Sequence, residues 1–146
     1  MLRQLAIGSA FAVLAAGSAW AGEYGTPAEA KAMLQKAVAA VNADKAQALA
    51  MFSKGEGGFK DRDLYPYCGG PDGNFTAHPS LVGKSLKDLK DKAGKPLGVE
   101  VYAAAKDGVI VEVSYMWPRP GQTDPVNKVA YVTKVGDQVC AVGYYK

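Results

Sequence analysis

The chain has few of the residues that build reactive centres. It contains one histidine, His78, and two cysteines, Cys68 and Cys140. A single imidazole excludes a metal site built from several histidines. The absence of Cys-x-x-Cys argues against a dithiol oxidoreductase and against a covalently attached c-type haem. Neither a Gly-x-Ser-x-Gly elbow nor a phosphate-binding loop is present, so the sequence predicts no catalytic residue, no metal and no cofactor.

Charge of one sign is also scarce. Seventeen basic and 14 acidic residues give a formal net charge of +3 at pH 7, and the lysines are scattered between acidic residues. A nucleic-acid-binding protein needs a basic stripe on one face. The composition therefore predicts no nucleic-acid partner, and it gives no support to membrane-surface binding.

The one long apolar run lies at the N-terminus. Arg3 precedes an almost wholly apolar stretch from Leu5 to Ala16, and Ala19-Trp20-Ala21 places small residues at the two cleavage positions. This arrangement is typical of a secretory signal peptide over residues 1–21 with cleavage after Ala21. The run is short for a membrane span, and an uncleaved anchor is the alternative. We expect the mature chain, residues 22–146, to be one exported domain that does not insert into the membrane.

Helix signals follow directly after this leader. Thr26-Pro27-Ala28-Glu29 forms a capping box with proline at the first helical position. Apolar residues then recur at three- and four-residue spacing as far as Val41, and a second short helix is predicted from Ala46 to Phe52. A third helix is predicted from Pro96 to Ala105. We expect the first, long amphipathic helix to lie across one face of a sheet.

Strand patterns occupy two parts of the chain. Leu64–Cys68 and Asn74–His78 flank a glycine-rich turn and predict a hairpin. Pro66 removes one ladder hydrogen bond, so a bulge could form in the first strand. Three further alternating segments predict an antiparallel meander, over residues 109–117, 128–135 and 138–145.

The motifs of the chain follow a recognisable order. A strand, a glycine-rich turn, a second strand and a His-Pro corner precede a series of short motifs: Asp91, Gly94-Lys95, Tyr115-x-Trp117-Pro118 and Lys128-x-x-Tyr131. This ordered set resembles the single Cache domain of type 2, a PAS-like sensor module that bacteria place outside the cytoplasmic membrane. The resemblance implies an α+β fold in a Gram-negative periplasm. Its N-terminal long helix would pack on a five- to six-stranded antiparallel sheet, and a helical cap segment, residues 79–108, would cover the other face.

The resemblance also implies a small organic molecule, often a short carboxylate, bound between sheet and cap. Tyr115, Trp117 and Arg119 alternate toward the end of a central strand, and an arginine beside aromatic rings suits a carboxylate. Tyr131, on the next strand, could face the same cavity. The predicted ligand-binding residues are His78, Tyr115, Trp117, Arg119, Lys128 and Tyr131.

Each of these residues also has a plainer interpretation. His78 could be a corner histidine whose ring bonds a backbone carbonyl, and the aromatic pair Tyr115 and Trp117 could belong to the core. Arg119 could be a loose surface charge. Strand alternation points Lys128 away from Tyr131, which makes a solvated surface lysine about as plausible as a ligand contact.

The two cysteines predict a disulfide in an oxidising compartment. Cys68 ends the first predicted strand and Cys140 lies in the last, and these strands are neighbours in a PAS-like sheet. Two buried thiols or a redox switch are the competing interpretations.

The functional expectation follows from these features together. The last predicted strand ends next to Lys146, and we expect no membrane anchor or output domain after it. We therefore expect a soluble periplasmic protein that binds a small organic anion and presents it to a membrane receptor, kinase or transporter. The alternative is a ligand-free interaction module that regulates a kinase or enzyme partner, with core side chains such as Trp117 filling the cavity. An enzyme is not predicted.

Overall fold

The computed structural model describes residues 22–146, so the predicted signal peptide and its cleavage site lie outside the described residues. Across residues 22–146 no helix combines the length and the apolar character needed to cross a membrane. The helices are α1 (Pro27–Ala43), α2 (Lys45–Lys54) and α3 (Leu97–Ala104). The strands are β1 (Pro66–Gly69), β2 (Phe75–Ala77), β3 (Val111–Pro118), β4 (Pro125–Val135) and β5 (Gln138–Tyr145).

The first two helices begin and end at the signals in the sequence. Thr26 Oγ1 accepts from the Glu29 N–H at 3.2 Å, and Glu29 Oε2 accepts from the Thr26 N–H at 2.8 Å. Asp44 then separates α1 from α2 and caps α2, because its carboxylate accepts from the Gln47 N–H at 3.1 Å. Gly55 ends α2 in the left-handed conformation, at φ 70°. These local signals account for the two confirmed helices.

All five strands form one antiparallel sheet in the order β2-β1-β5-β4-β3. The predicted meander is confirmed as β3, β4 and β5, and the hairpin β1-β2 is added beside β5. Pro66 is the first residue of β1, where a missing backbone donor does little harm. The irregularity in pairing falls between Cys68 and Gly69, opposite β2, and not at Pro66.

The sheet has two differently covered faces. Successive side chains of a strand point to opposite faces, so Cys68 faces the layer formed by α1 and α2 while Tyr67 faces the cap. Leu86, Leu97 and Val101 of the cap are buried against this second face. The structure thus confirms the helix layer, the sheet and the cap, with the cap-facing side of the sheet available for a site.

A disulfide joins the two strands at the centre of the sheet. Cys68 and Cys140 are directly opposite each other on β1 and β5 and are bridged, with a Cα–Cα distance of 4.1 Å. Both residues are fully buried on the helix-facing side. The predicted pairing is present, and the bridge fixes β1 against β5.

The cap is fastened to the outer edge of β3. Asp91 Oδ2 accepts from the Met116 N–H at 2.9 Å, and the Lys95 ammonium donates to the Ser114 carbonyl. Asp91 Oδ1 also accepts from the N–H groups of Ala93 and Lys95, at 2.9 and 2.8 Å. Burial alone would raise the pKa of Asp91, but these backbone hydrogen bonds lower it overall.

Candidate ligand-binding site

A small chamber lies between the cap and the cap-facing side of the sheet. Aromatic rings and leucines form most of its wall. The residues lining this aromatic chamber are Tyr65, Tyr67, Phe75, His78, Leu86, Leu89, Leu97, Tyr115, Trp117 and Lys128. The free space is about 10 Å³, which is room for about one water molecule. In this structure the chamber is therefore occupied mainly by its own side chains.

Lys128 is the most unusual member of the chamber because it is only 1% exposed. Its ammonium donates to the Tyr65 hydroxyl at 3.1 Å. It also lies 4.4 Å from the ring centroid of Tyr65, 5.0 Å from Tyr145, 5.7 Å from Tyr67 and 5.8 Å from Tyr115. Aromatic faces attract a cation, yet no ion pair in the described part of the chain includes this ammonium.

The space for the lysine stem is provided by a glycine on the neighbouring strand. Gly143 of β5 lies so close to Lys128 that a Cβ atom there would collide with the Lys128 Cε. A glycine at this position therefore allows a long side chain to lie along the sheet surface and to place its ammonium among the tyrosines.

His78 supplies a second hydrogen-bond donor. Its Nδ1 accepts from the N–H groups of Ser80 and Leu81, at 2.9 and 3.1 Å, so the proton of the neutral ring is on Nε2. Burial, followed by the positive charge of Lys128, lowers the pKa of His78 to about 4. His78 stands at the corner after β2, but the expectation that its ring bonds a backbone carbonyl is wrong, because within residues 22–146 the ring accepts from backbone N–H groups.

Two tyrosines of the chamber share a hydrogen bond. The Tyr67 and Tyr115 hydroxyls are 2.9 Å apart, and burial raises the pKa of both phenols, so both are neutral. This pair has two hydroxyl protons and one mutual hydrogen bond, and no other hydrogen bond of either hydroxyl is formed within residues 22–146. With Lys128 and His78, the chamber offers several donors, an arrangement that suits an anion with acceptor oxygens.

The buried imidazole of His78 should make stability depend on pH. The ring titrates near pH 4 in the fold and near 6.5 in the unfolded chain, so the unfolded chain binds more protons between these values. The stabilisation is complete above about pH 6.5 and is lost as pH falls, by up to about 1.4 kcal/mol per pH unit. Urea unfolding at a series of pH values would measure this slope.

A matched variant can isolate the contribution of His78 to that slope. Asparagine at this position places Oδ1 where it can accept the same two backbone hydrogen bonds but does not titrate. We expect His78→Asn to flatten the profile between about pH 6.5 and 5, above the range of ordinary carboxylates. Equal slopes in the two proteins would contradict this account of the ring.

The structure separates the remaining predicted site residues. Trp117 is half-buried, lies edge-on to Tyr115 at 6.5 Å and lines the chamber. Arg119 lies outside the chamber, where its Nε is 3.4 Å from Asp63 Oδ2. Its guanidinium is therefore neither a loose surface charge nor a part of the chamber wall.

The placement of Tyr131 is a correction to the expectation that it faces the same cavity. Its ring packs with Tyr144 at 5.7 Å, on the side of the sheet that α1 and α2 cover. Strand alternation puts Lys128 and Tyr131 on opposite faces, as expected. Lys128 is nevertheless buried, so the interpretation as a solvated surface lysine is wrong.

Several chamber residues were not predicted from the sequence. Tyr65 and Tyr67 share one face because they are two residues apart, a signal that the proline between them obscured. Tyr145 does not line the chamber but lies directly opposite Lys128 in the β4-β5 pairing, and its hydroxyl donates to the Pro118 carbonyl at 2.8 Å. Strand alternation could have indicated these three tyrosines, whereas the leucines of the cap carry no comparable signal.

A larger outer pocket adjoins the chamber. Its volume is about 390 Å³, and it shares Tyr65, His78 and Trp117 with the chamber. Arg119 and Lys92 also line this outer pocket. A ligand entering from solvent would therefore pass the three shared side chains.

A helix layer, an antiparallel sheet and a cap that encloses a small chamber define a PAS-like sensor-domain fold. A family model described as Single Cache domain 2 matches residues 20–143, and the chain belongs to that family. Cache domains are extracytoplasmic sensor modules that bind small molecules.

Two solved structures share this fold. One is described as a periplasmic sensor domain of a chemotaxis protein, with TM-score 0.58, 23% identity, and coverage of 79% of this chain and 86% of the other. The second is described as showing the structural basis for carboxylic acid recognition by a Cache chemosensory domain. It has TM-score 0.55 and 21% identity, with coverage of 79% and 84%. At these identities the likeness establishes the fold.

A curated relative is the methyl-accepting chemotaxis protein McpP of Pseudomonas putida (strain KT2440). It is 34% identical over 56 residues, which are 38% of this chain. The matched segment is 10% of the relative, so the chain corresponds to only a small part of that longer protein.

Proposed function

We propose that this protein binds a small organic anion, a short carboxylate, in the aromatic chamber between sheet and cap. The observation that carries the proposal is the ammonium of Lys128, which is buried among tyrosine rings and pairs with no carboxylate of residues 22–146. Removing a charge from water is costly unless it is paired and hydrogen-bonded. A bound carboxylate would supply the missing partner. The Cache structure described in terms of carboxylic acid recognition supports the same ligand class.

Each polar residue of the chamber has a separate role in this proposal. The Lys128 ammonium pairs with one carboxylate oxygen, and His78 Nε2–H donates to the other. The Tyr67–Tyr115 pair contributes a hydroxyl donor, while Phe75 and the cap leucines contact the short carbon chain. Tyr115 and Trp117 thus act as chamber walls, and Arg119 acts from outside the chamber.

The small free volume limits the ligand and requires a movement. Room for one water is too little even for a short acid, so the cap must shift outward or the chamber side chains must repack on binding. Leu86 and Leu97 belong to the cap and line the chamber, so this segment is where we expect the shift. Small acids should therefore bind better than branched or aromatic ones.

We further propose the compartment and the partner. Signal peptide 1–21 would direct the chain to the periplasm and be cleaved after Ala21. The soluble mature protein would capture the anion and present it to a membrane receptor, kinase or transporter. The presence of a chemotaxis receptor among its relatives supports a role in signal transduction.

A second candidate function is a ligand-free interaction module that regulates a kinase or enzyme. The observation in its favour is that the chamber is nearly filled by its own side chains, Trp117 among them. In that case the lysine and tyrosines would act only as a buried structural cluster.

A thermal-shift screen of residues 22–146 distinguishes the two candidates. The panel should contain short mono- and dicarboxylates, amino acids and polyamines. Ligand at a hundredfold excess over its dissociation constant stabilises the native state by about 2.7 kcal/mol. We expect a clear rise in Tm with a small carboxylate and none with polyamines. A flat response across the panel would refute the ligand proposal and favour the interaction module.

A further inference from the structure

Two cationic groups share the ring of Tyr145. Lys128 Nζ lies 5.0 Å from the ring centroid and Arg119 Cζ lies 5.2 Å from it, so the two groups are at most about 10 Å apart. The ring is fixed by the hydrogen bond from its hydroxyl to the Pro118 carbonyl. Like charges at this separation repel each other.

Arg119 also holds the segment before the first helix, residues 22–26, which we call the N-terminal strap. The Arg119 guanidinium lies 4.0 Å from the ring centroid of Tyr24. Its Nε pairs with Asp63 Oδ2, and Asp63 Oδ1 accepts from the Gly25 N–H at 2.8 Å. The Arg119 side chain therefore contacts both the strap, through Tyr24, and the ring of Tyr145, which in turn contacts Lys128.

A second arginine completes the docking of the strap. Arg62 Nη1 donates to the carbonyls of Gly22 and Tyr24, both at 2.9 Å, and Arg62 Nη2 pairs with Glu29 at 2.7 Å. The Tyr24 side chain is itself exposed, at 40%. The strap is thus held largely by arginine contacts, and its position sets the approach to the first turn of α1.

We propose that Arg119 is a positioning residue that couples occupancy of the chamber to docking of the N-terminal strap, an inference that rests on the proposed carboxylate function. Arg119 touches no ligand and acts through Tyr145. In the empty protein the ammonium of Lys128 repels Arg119 across the ring. A bound carboxylate neutralises Lys128, so Arg119 is held more firmly between Tyr24 and Tyr145.

The coupling must act in both directions. If a carboxylate in the chamber favours the docked strap, loss of docking weakens carboxylate binding by the same factor. Tyr24 is the best point at which to break the contact, because it is exposed and does not line the chamber. Its substitution leaves Lys128, His78 and Tyr145 in place.

The test uses acetate and propionate as probes, with isothermal titration calorimetry on wild type, Tyr24→Ala and Tyr24→Phe. We expect Tyr24→Ala to raise Kd about fivefold, the lower end of typical coupling, and Tyr24→Phe to retain wild-type affinity because its ring still stacks on Arg119. Hydrogen–deuterium exchange supplies a second measurement. Added acetate or propionate, at constant pH, should slow hydrogen–deuterium exchange over residues 22–29 in wild type but not in Tyr24→Ala.

The outcomes separate this inference from the proposed function. Val109→Ala, at an exposed position that lines neither the chamber nor the strap, is the control and should match wild type. Equal affinity in wild type and Tyr24→Ala, with no acid-dependent exchange in the strap, would refute the coupling while carboxylate binding stands. Equal weakening in Tyr24→Phe would also refute it, because the ring would then not be the cause. Failure of wild type to bind either acid would refute both.

Discussion

Substitution of Lys128 by methionine is expected to abolish carboxylate binding without weakening the fold. Methionine fills a similar volume beside Gly143 but carries no charge and no donor. Truncating one partner of a buried charge pair costs about 2–5 kcal/mol of affinity, so the Kd for a bound carboxylate should rise about 30-fold or more. Isothermal titration calorimetry with the acid selected by the screen would measure this loss.

The stability of the same variant gives an independent test. Replacing buried ionic groups with apolar residues of similar volume is often neutral or stabilising, by about 1–4 kcal/mol. We expect urea unfolding to show a free energy of unfolding equal to or above that of wild type. Lys134→Met is the matched control, because Lys134 lies on the same strand but is exposed. This control variant should bind the carboxylate with wild-type affinity. Normal binding by Lys128→Met would remove the basis of the proposed site.

The second large effect is expected at the disulfide. The bridge joins residues 72 positions apart, and constraining an unfolded loop of this size contributes about 4 kcal/mol in the chain-entropy account. The double variant Cys68→Ala with Cys140→Ala should lose about 2–5 kcal/mol of its free energy of unfolding. Chemical denaturation followed by circular dichroism would measure this difference.

Reductant provides the control for this prediction. It should lower the unfolding midpoint of wild type and leave that of the double variant unchanged. An unchanged wild-type midpoint in fully reduced protein would contradict the stabilising role of the bridge. Binding of a carboxylate in the chamber should also weaken in the double variant, because the bridge holds β1, which carries Tyr67, against β5.

The elements with local signals could be predicted from the sequence. The capping box at Thr26 and the break at Asp44 located both N-terminal helices, since capping depends on residues three positions apart. Alternation of apolar and polar residues located the meander, because this pattern also depends only on residues close together in sequence. The predicted start of β1, Leu64, was two residues too early, because the strand was drawn through Pro66, which is the first residue of β1.

The candidate site could be predicted only in part. Alternation gave the face on which Lys128 lies, but its burial depends on two tyrosines outside its own strand. Tyr65 directly precedes β1, 63 positions away, and Tyr145 is brought opposite Lys128 by the register of β4 and β5. Arg119 was placed with the ligand residues because its partner, Asp63, precedes it by 56 positions. Such pairings are set by the closure of the sheet and the cap, and no local pattern records them.

The loop that fastens the cap to β3 has a consequence for the solution behaviour of the protein. A long edge strand with free N–H and C=O groups can act as a template for strands of other chains. Here the Asp91 carboxylate accepts from the Met116 N–H, and the Lys95 ammonium donates to the Ser114 carbonyl. These backbone groups of the edge strand are therefore unavailable for such pairing. The loop therefore helps to cover the aromatic chamber and also resists the edge-to-edge growth that leads to fibrils.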